Sequence, residues 1–73
     1  GLGRNEDAYA YADLGLLKAP RNVTLQLLQL HQAIVLDRRE RALALRSSLQ
    51  AAARDGRLTT QERLTLTYYK DYR

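Results

Sequence analysis

The chain has no cysteine, methionine, tryptophan or phenylalanine, and it contains a single histidine and a single proline. Without cysteine it cannot form a disulfide, and one histidine alone cannot build a Cys–His zinc site. The sequence has no glycine-rich phosphate loop and no recognisable nucleophile–histidine–acid motif. His31, in an apolar helix half, is best interpreted as a partly buried residue. These absences predict a non-enzymatic chain that uses no cofactor or metal.

Long hydrophobic runs are also missing. No apolar run approaches the roughly 20 residues of a membrane span, and no signal peptide is evident, so we expect a soluble chain of unspecified compartment. Its 73 residues allow one domain, residues 1–73, and a chain this short buries only about 60% of its unfolded surface. Since no disulfide or metal can reinforce so small a core, self-association or a larger complex is the expected source of added stability.

Residues 23–55, which lie within the longest stretch without glycine or proline, predict one long central helix. In its first half, apolar side chains go nearly all the way round the helix, which is typical of a helix that neighbours surround. Gln26, Gln29 and Gln32 are three residues apart and form a narrow polar stripe. We expect this stripe to face water.

The second half of the stretch has a cleaner pattern. Helical spacing places its apolar residues on one face, formed by Ala42, Leu45, Leu49, Ala52 and Ala53. In an unbroken helix, that face would continue the apolar face of the first half, formed by Leu27, Leu28, Ile34 and Val35. The resulting heptad repeat is imperfect, because one of its two apolar positions also holds a histidine and an arginine.

Five consecutive charged residues, 37–41, separate the two halves and place charge on every side of a helical turn. A protein core cannot accept that turn uncompensated, so the chain either emerges into water as helix or breaks there. A continuous helix over residues 23–54 would be about 48 Å long, whereas a compact chain of this size is about 30 Å across. Because the stretch holds no helix breaker, we favour a continuous, projecting helix over a kink near residues 37–41.

A first helix is predicted over residues 6–17, after a loose segment at 1–5. Asn5 is a suitable N-cap for it. Helical spacing in this register directs four side chains inward, Ala8, Tyr11, Ala12 and Leu16, and two outward, Tyr9 and Asp13. Residues 18–22 form a connector, in which Asn22 can cap the central helix, with Thr24 as the alternative cap.

A tight reversal is predicted at residues 56–59, because Gly56 favours a left-handed helix end and Thr59 with Glu62 forms a capping box. The last segment, residues 60–72, aligns Leu64, Tyr68 and Tyr72 if it is a helix, although its alternation of threonine with leucine and tyrosine also suits a strand. The capping box favours the helix. The sequence therefore predicts an all-α fold with a short helix, a long central helix and a short returning helix, arranged as a helical hairpin or three-helix bundle.

The formal net charge is +4, from 12 basic and 8 acidic residues. The one basic cluster is formed by Arg38, Arg39, Arg41 and Arg46. It predicts either a contact for an anionic partner, such as a phosphate, or a solvated helical turn in which Asp37 and Glu40 cancel part of the charge. We favour the solvated turn.

The five tyrosines lie only near the two ends of the chain, and they suit either a binding surface or the closure of a small core. The predicted function is a non-enzymatic interaction, assembly or regulatory module that associates with itself or with another helical protein. The residues predicted for its interface are Leu27, Leu28, Ile34, Val35, Leu45, Leu49, Tyr68 and Tyr72. The alternative is a small basic protein that binds nucleic acid weakly through the arginine cluster.

Overall fold

The described part of the chain, residues 2–72 in a computed structural model, forms four α-helices and no strand. They are α1 (Leu2–Lys18), α2 (Val23–Val35), α3 (Arg39–Arg54) and α4 (Thr60–Tyr68). The radius of gyration is 11.6 Å and the principal extents are 34 × 28 × 20 Å. The all-α prediction is confirmed, and the chain is compact rather than projecting.

The predicted continuous central helix is wrong, because the chain turns sharply between α2 and α3. Asp37 adopts a left-handed backbone conformation with φ of 59°. The Arg38 amide donates to the Ala33 carbonyl at 2.7 Å, and the Asp37 amide donates to the Ile34 carbonyl at 3.1 Å. This pair of hydrogen bonds is the Schellman motif that closes a helix. The charged run thus breaks the helix, and the turn lies in water, as its composition requires.

Helix α3 also ends in a Schellman motif, here with glycine, the residue that usually adopts its left-handed conformation. Gly56 has φ of 73°, and the Arg57 amide donates to the Ala52 carbonyl at 2.9 Å. The predicted capping box follows, since the Thr59 hydroxyl accepts from the Glu62 amide and the Glu62 carboxylate accepts from the Thr59 amide. The Asn22 side chain accepts from the Leu25 amide and caps α2. These signals are confirmed.

The outer helix ends differ from the prediction. Residues 2–5 are helical rather than loose, so Asn5 lies inside α1 and is not its N-cap. Helix α4 ends at Tyr68, and residues 69–72 continue as turns. Its buried residue is Leu66, whereas Leu64 and Tyr68 on the predicted face are exposed.

Helix α2 packs against both α1 and α3, and α4 packs against α3. The core consists of Leu16, Leu30, Ala33, Ala42, Leu45, Leu49, Ala52, Leu58 and Leu66. The apolar face predicted for α3 is confirmed at Ala42, Leu45, Leu49 and Ala52. The water-facing stripe predicted for α2 is wrong, because Gln26, Gln29 and Gln32 are all buried.

Gly15 of α1 lies against the Leu25 side chain of α2. A Cβ atom at this position would lie 2.6 Å from Cδ1 of Leu25, well inside van der Waals contact. The absence of a side chain therefore lets Leu25 lie against the α1 backbone, which offsets the usual cost of glycine within a helix.

We expect Asp37→Gly to be more stable than Asp37→Ala by about 1 kcal/mol, because a left-handed backbone penalises any residue that carries a Cβ. In a continuous helix the order would be reversed by a similar amount, since glycine is the poorer helix former by about 1 kcal/mol. Urea unfolding of the two variants therefore distinguishes the hairpin from the long helix by the sign of the difference.

We expect Leu49→Asp to lower the free energy of unfolding by more than about 3 kcal/mol, because it places a charge at a fully buried core position. Leu43→Asp is the matched control on the same helix, where the side chain is only partly buried. Thermal and urea unfolding measure both variants. Equal losses of stability would show that the buried face of α3 is wrongly assigned.

Candidate functional site

A polar junction joins the first three helices on one side of the molecule. At its centre the fully buried Gln29 amide donates to the Tyr9 carbonyl at 3.3 Å and to the Asp13 carboxylate at 3.1 Å. Its oxygen accepts from Nε of Arg41 at 2.8 Å. Arg41 also lies 3.7 Å from the Asp13 carboxylate. One buried amide thus connects α1 to α3 through α2.

The other two buried glutamines are less fully bonded. The Gln26 amide nitrogen donates to the Pro20 carbonyl at 2.8 Å. The side-chain oxygens of Gln26 and Gln32 have no hydrogen-bond partner among the described residues. An unpartnered buried amide oxygen costs about 1–3 kcal/mol, so Gln29, whose oxygen accepts from Arg41, is the best satisfied of the three.

Arg38 makes its contacts with α1. Its guanidinium lies 3.4 Å from the Glu6 carboxylate and stacks 4.4 Å from the centre of the Tyr9 ring. Tyr9, which was predicted to face outward, therefore faces the helix hairpin and packs against the core. Tyr11, which was predicted to face inward, is 70% exposed.

Arg46 holds the C-terminal turns against α3. Its guanidinium donates to the backbone carbonyls of Tyr69 and Lys70, both at 3.1 Å, and to that of Tyr72. These carbonyls follow the end of α4, where a cation interacts favourably with the helix dipole. Arg46 thus acts as a structural cap supplied by a neighbouring helix.

The four arginines of the predicted anionic-partner site therefore do not converge on one free surface. Arg38, Arg41 and Arg46 each contact acceptors within the chain. Within residues 2–72, Arg39 has no side-chain partner and is exposed. An incoming phosphate would have to compete with these internal contacts.

Tyr69 and His31 form a second polar contact, between α2 and the end of α4. The Tyr69 hydroxyl lies 2.8 Å from Nδ1 of His31, and the Tyr68 ring packs edge-on against Tyr69 with ring centres 5.1 Å apart. Burial and, to a smaller extent, the charge of Tyr68 raise the pKa of Tyr69 above its ordinary value of 10.0. Tyr69 stays protonated at neutral pH, and this contact is best described as structural.

The residues predicted for a protein interface are distributed unevenly. Leu45 and Leu49 belong to the core, and Leu27, Leu28, Ile34 and Tyr72 are partly buried. Two of the set are exposed, Val35 at 41% and Tyr68 at 83%. The hairpin brings the core-facing members together inside the chain, while the use of this set as an interface stays a prediction.

Three other exposed apolar side chains lie on the outer face of α1. Tyr11, Leu14 and Leu17 are 70%, 65% and 78% exposed. Beside them Leu25 and Gly15 contribute to a shallow depression of about 250 Å³, with Lys18 at its rim. Sequence reasoning assigned one apolar face to this helix. The available signal was that its apolar residues lie on both sides, since Ala12 and Leu16 face the core.

Several kinds of site are absent from residues 2–72. No group of three metal-ligating side chains lies together in this part of the chain. None of its four helices combines the length and the apolar character needed to cross a membrane.

Comparison of the chain with protein-family models, with curated proteins and with solved structures finds no significant match. The functional interpretation therefore depends on the residues and their geometry alone.

We expect Arg41→Ala to destabilise the chain by about 1–3 kcal/mol, because it leaves the buried oxygen of Gln29 without its donor. Arg39→Ala, two residues earlier and exposed, should change stability by no more than about 0.5 kcal/mol. Chemical unfolding of both variants makes the comparison. Equal stability of the two variants would contradict a structural role for Arg41.

Proposed function

We propose that the chain is a non-enzymatic protein–protein interaction module, which associates with a second copy of itself or with another helical protein. The observation that carries this proposal is the exposed apolar outer face of α1. Three large side chains, Tyr11, Leu14 and Leu17, lie there close together in water. Contiguous exposed apolar surface on a small protein usually marks a contact site.

The position of this face supports an external role. The opposite side of α1 is occupied by α2, where Ala12 and Leu16 are buried. The fold therefore buries the inner face of α1, whereas no described residue covers its outer apolar face. Apolar residues on the outer face are not needed for the core, and water would favour polar ones there.

The proposed contact surface lies on α1, whereas most of the residues that the sequence predicted for an interface lie on the central stretch. The interface predicted on the central stretch assumed one continuous helix, whereas this stretch forms two separate helices, α2 and α3. Val35 and Tyr68 remain exposed members of the originally predicted interface. They supply a secondary apolar contact for a partner that reaches beyond α1.

The rival proposal is weak nucleic-acid binding through the arginine cluster. The net charge of +4 supports it, since phosphate contacts supply most of non-specific affinity. The internal contacts of Arg38, Arg41 and Arg46 favour the protein partner instead. Of the four clustered arginines in the described part of the chain, Arg39 alone makes no such internal contact.

The proposal predicts that the solution mass rises above the monomer value of 8.3 kDa as concentration increases. Light scattering over the micromolar to millimolar range measures it. We expect the association to persist at high salt, because apolar burial rather than charge supplies most of its free energy. A folded monomer over the whole range would contradict self-association.

A further inference from the structure

The outer face of α1 has a pattern that fits a second copy of itself. Four exposed residues, Asp7, Tyr11, Leu14 and Lys18, are separated by four, three and four positions. At 100° per residue they fall within an arc of about 60°. This is the spacing of a coiled-coil seam, with Leu17 beside it.

The seam is self-complementary in the antiparallel direction. An acid stands at one end, a base stands at the other, and the two apolar residues lie between them. If a second α1 runs antiparallel, Asp7 lies opposite Lys18 of the second copy, and Tyr11 lies opposite Leu14 of the second copy. Both contacts then occur twice about a twofold axis, as a symmetric dimer requires. A parallel pairing would instead oppose identical charges.

We infer that α1 pairs with α1 of a second copy as an antiparallel twofold dimer, with Tyr11 and Leu14 at its centre and Asp7–Lys18 pairs at its ends. This inference rests on the self-association proposed above and names its surface and geometry. The depression next to Leu14 is formed in part by Leu25 of α2. It can receive an apolar side chain of the second copy.

The charges available at this seam support the direction of pairing. The described ion pairs of the chain use Glu6 and Asp13, with Arg38 and Arg41, and leave Asp7 and Lys18 outside them. Arg4 lies about one helical turn before Asp7, at the edge of the seam. It remains exposed to water there. Exposed charge pairs add little affinity but select orientation.

The size of the surface sets the strength of the dimer. Helix α1 has 17 residues, hence a length of about 25 Å. Interfaces below about 1,000 Å² in total are weak or transient. We therefore expect a dimer that dissociates readily at low concentration and forms at high concentration.

The central test is Leu14→Asp, measured by sedimentation equilibrium. It should weaken dimerisation more than tenfold, because it places two like charges in the apolar centre of the pairing. Leu64→Asp is the matched control, since Leu64 is 61% exposed on α4, outside the seam. It should leave the dimer unchanged. Circular dichroism verifies that both variants keep their helices.

Charge reversal tests the direction. At low salt, Asp7→Lys alone and Lys18→Asp alone should each weaken the dimer several-fold, because like charges then face each other twice. The combined variant Asp7→Lys, Lys18→Asp should restore most of the affinity, since the opposite charges meet again with their positions exchanged. High salt should reduce all of these differences.

The outcomes separate this inference from the broader proposal. A wild-type dimer that Leu14→Asp leaves intact would overturn the α1 pairing while self-association stands. A dimer that is sensitive to Leu14→Asp but gains nothing from the combined charge exchange would overturn the antiparallel geometry. A wild-type monomer at every concentration would overturn both the pairing and self-association.

Discussion

The left-handed turn at Asp37 determines how the rest of the chain is arranged. It reverses the chain between two apolar helices, so that leucines on α2 and α3 meet inside one molecule. The charged run provides the reason, because a turn in which every side is charged has to lie in water. Once α2 and α3 are antiparallel, α1 can cover the remaining side of α2, and the core lies between the helices of one chain.

Burial of the glutamine stripe follows from that arrangement. A helix with neighbours on two sides has little surface left for water, and the stripe falls at the junction of α1 and α3. Gln29 tolerates this position because a backbone carbonyl, a carboxylate and an arginine meet its amide. The arginines that resemble an anion-binding cluster in the sequence are consequently used to satisfy polar groups inside the fold. Proximity in sequence therefore overstated the positive surface that is free for a partner.

Local capping and turn residues were sufficient to predict several helix ends. Asn22, Gly56 and the Thr59–Glu62 capping box act within three or four residues, and each lies where it was predicted. A break at residues 37–41 was considered but a continuous helix was favoured, because the turn at Asp37 uses the Schellman hydrogen bonds without the glycine that usually signals them. In α1, Ala12 and Leu16 are buried as predicted, but Tyr9 and Tyr11 are exchanged between inside and outside. A helix with apolar residues on both faces offers no local criterion for choosing which face is buried.

That ambiguity in α1 also bears on function. In a helix that only closes a small core, polar residues would be expected at the positions of Tyr11, Leu14 and Leu17, because nothing in the described fold covers them. The inner face of α1 carries small residues such as the buried Ala12, and Gly15 leaves room for the Leu25 side chain of α2. The larger apolar side chains lie on the other side, where no described residue covers them. The residues that made the burial of α1 hard to predict are therefore the same ones that indicate a contact surface.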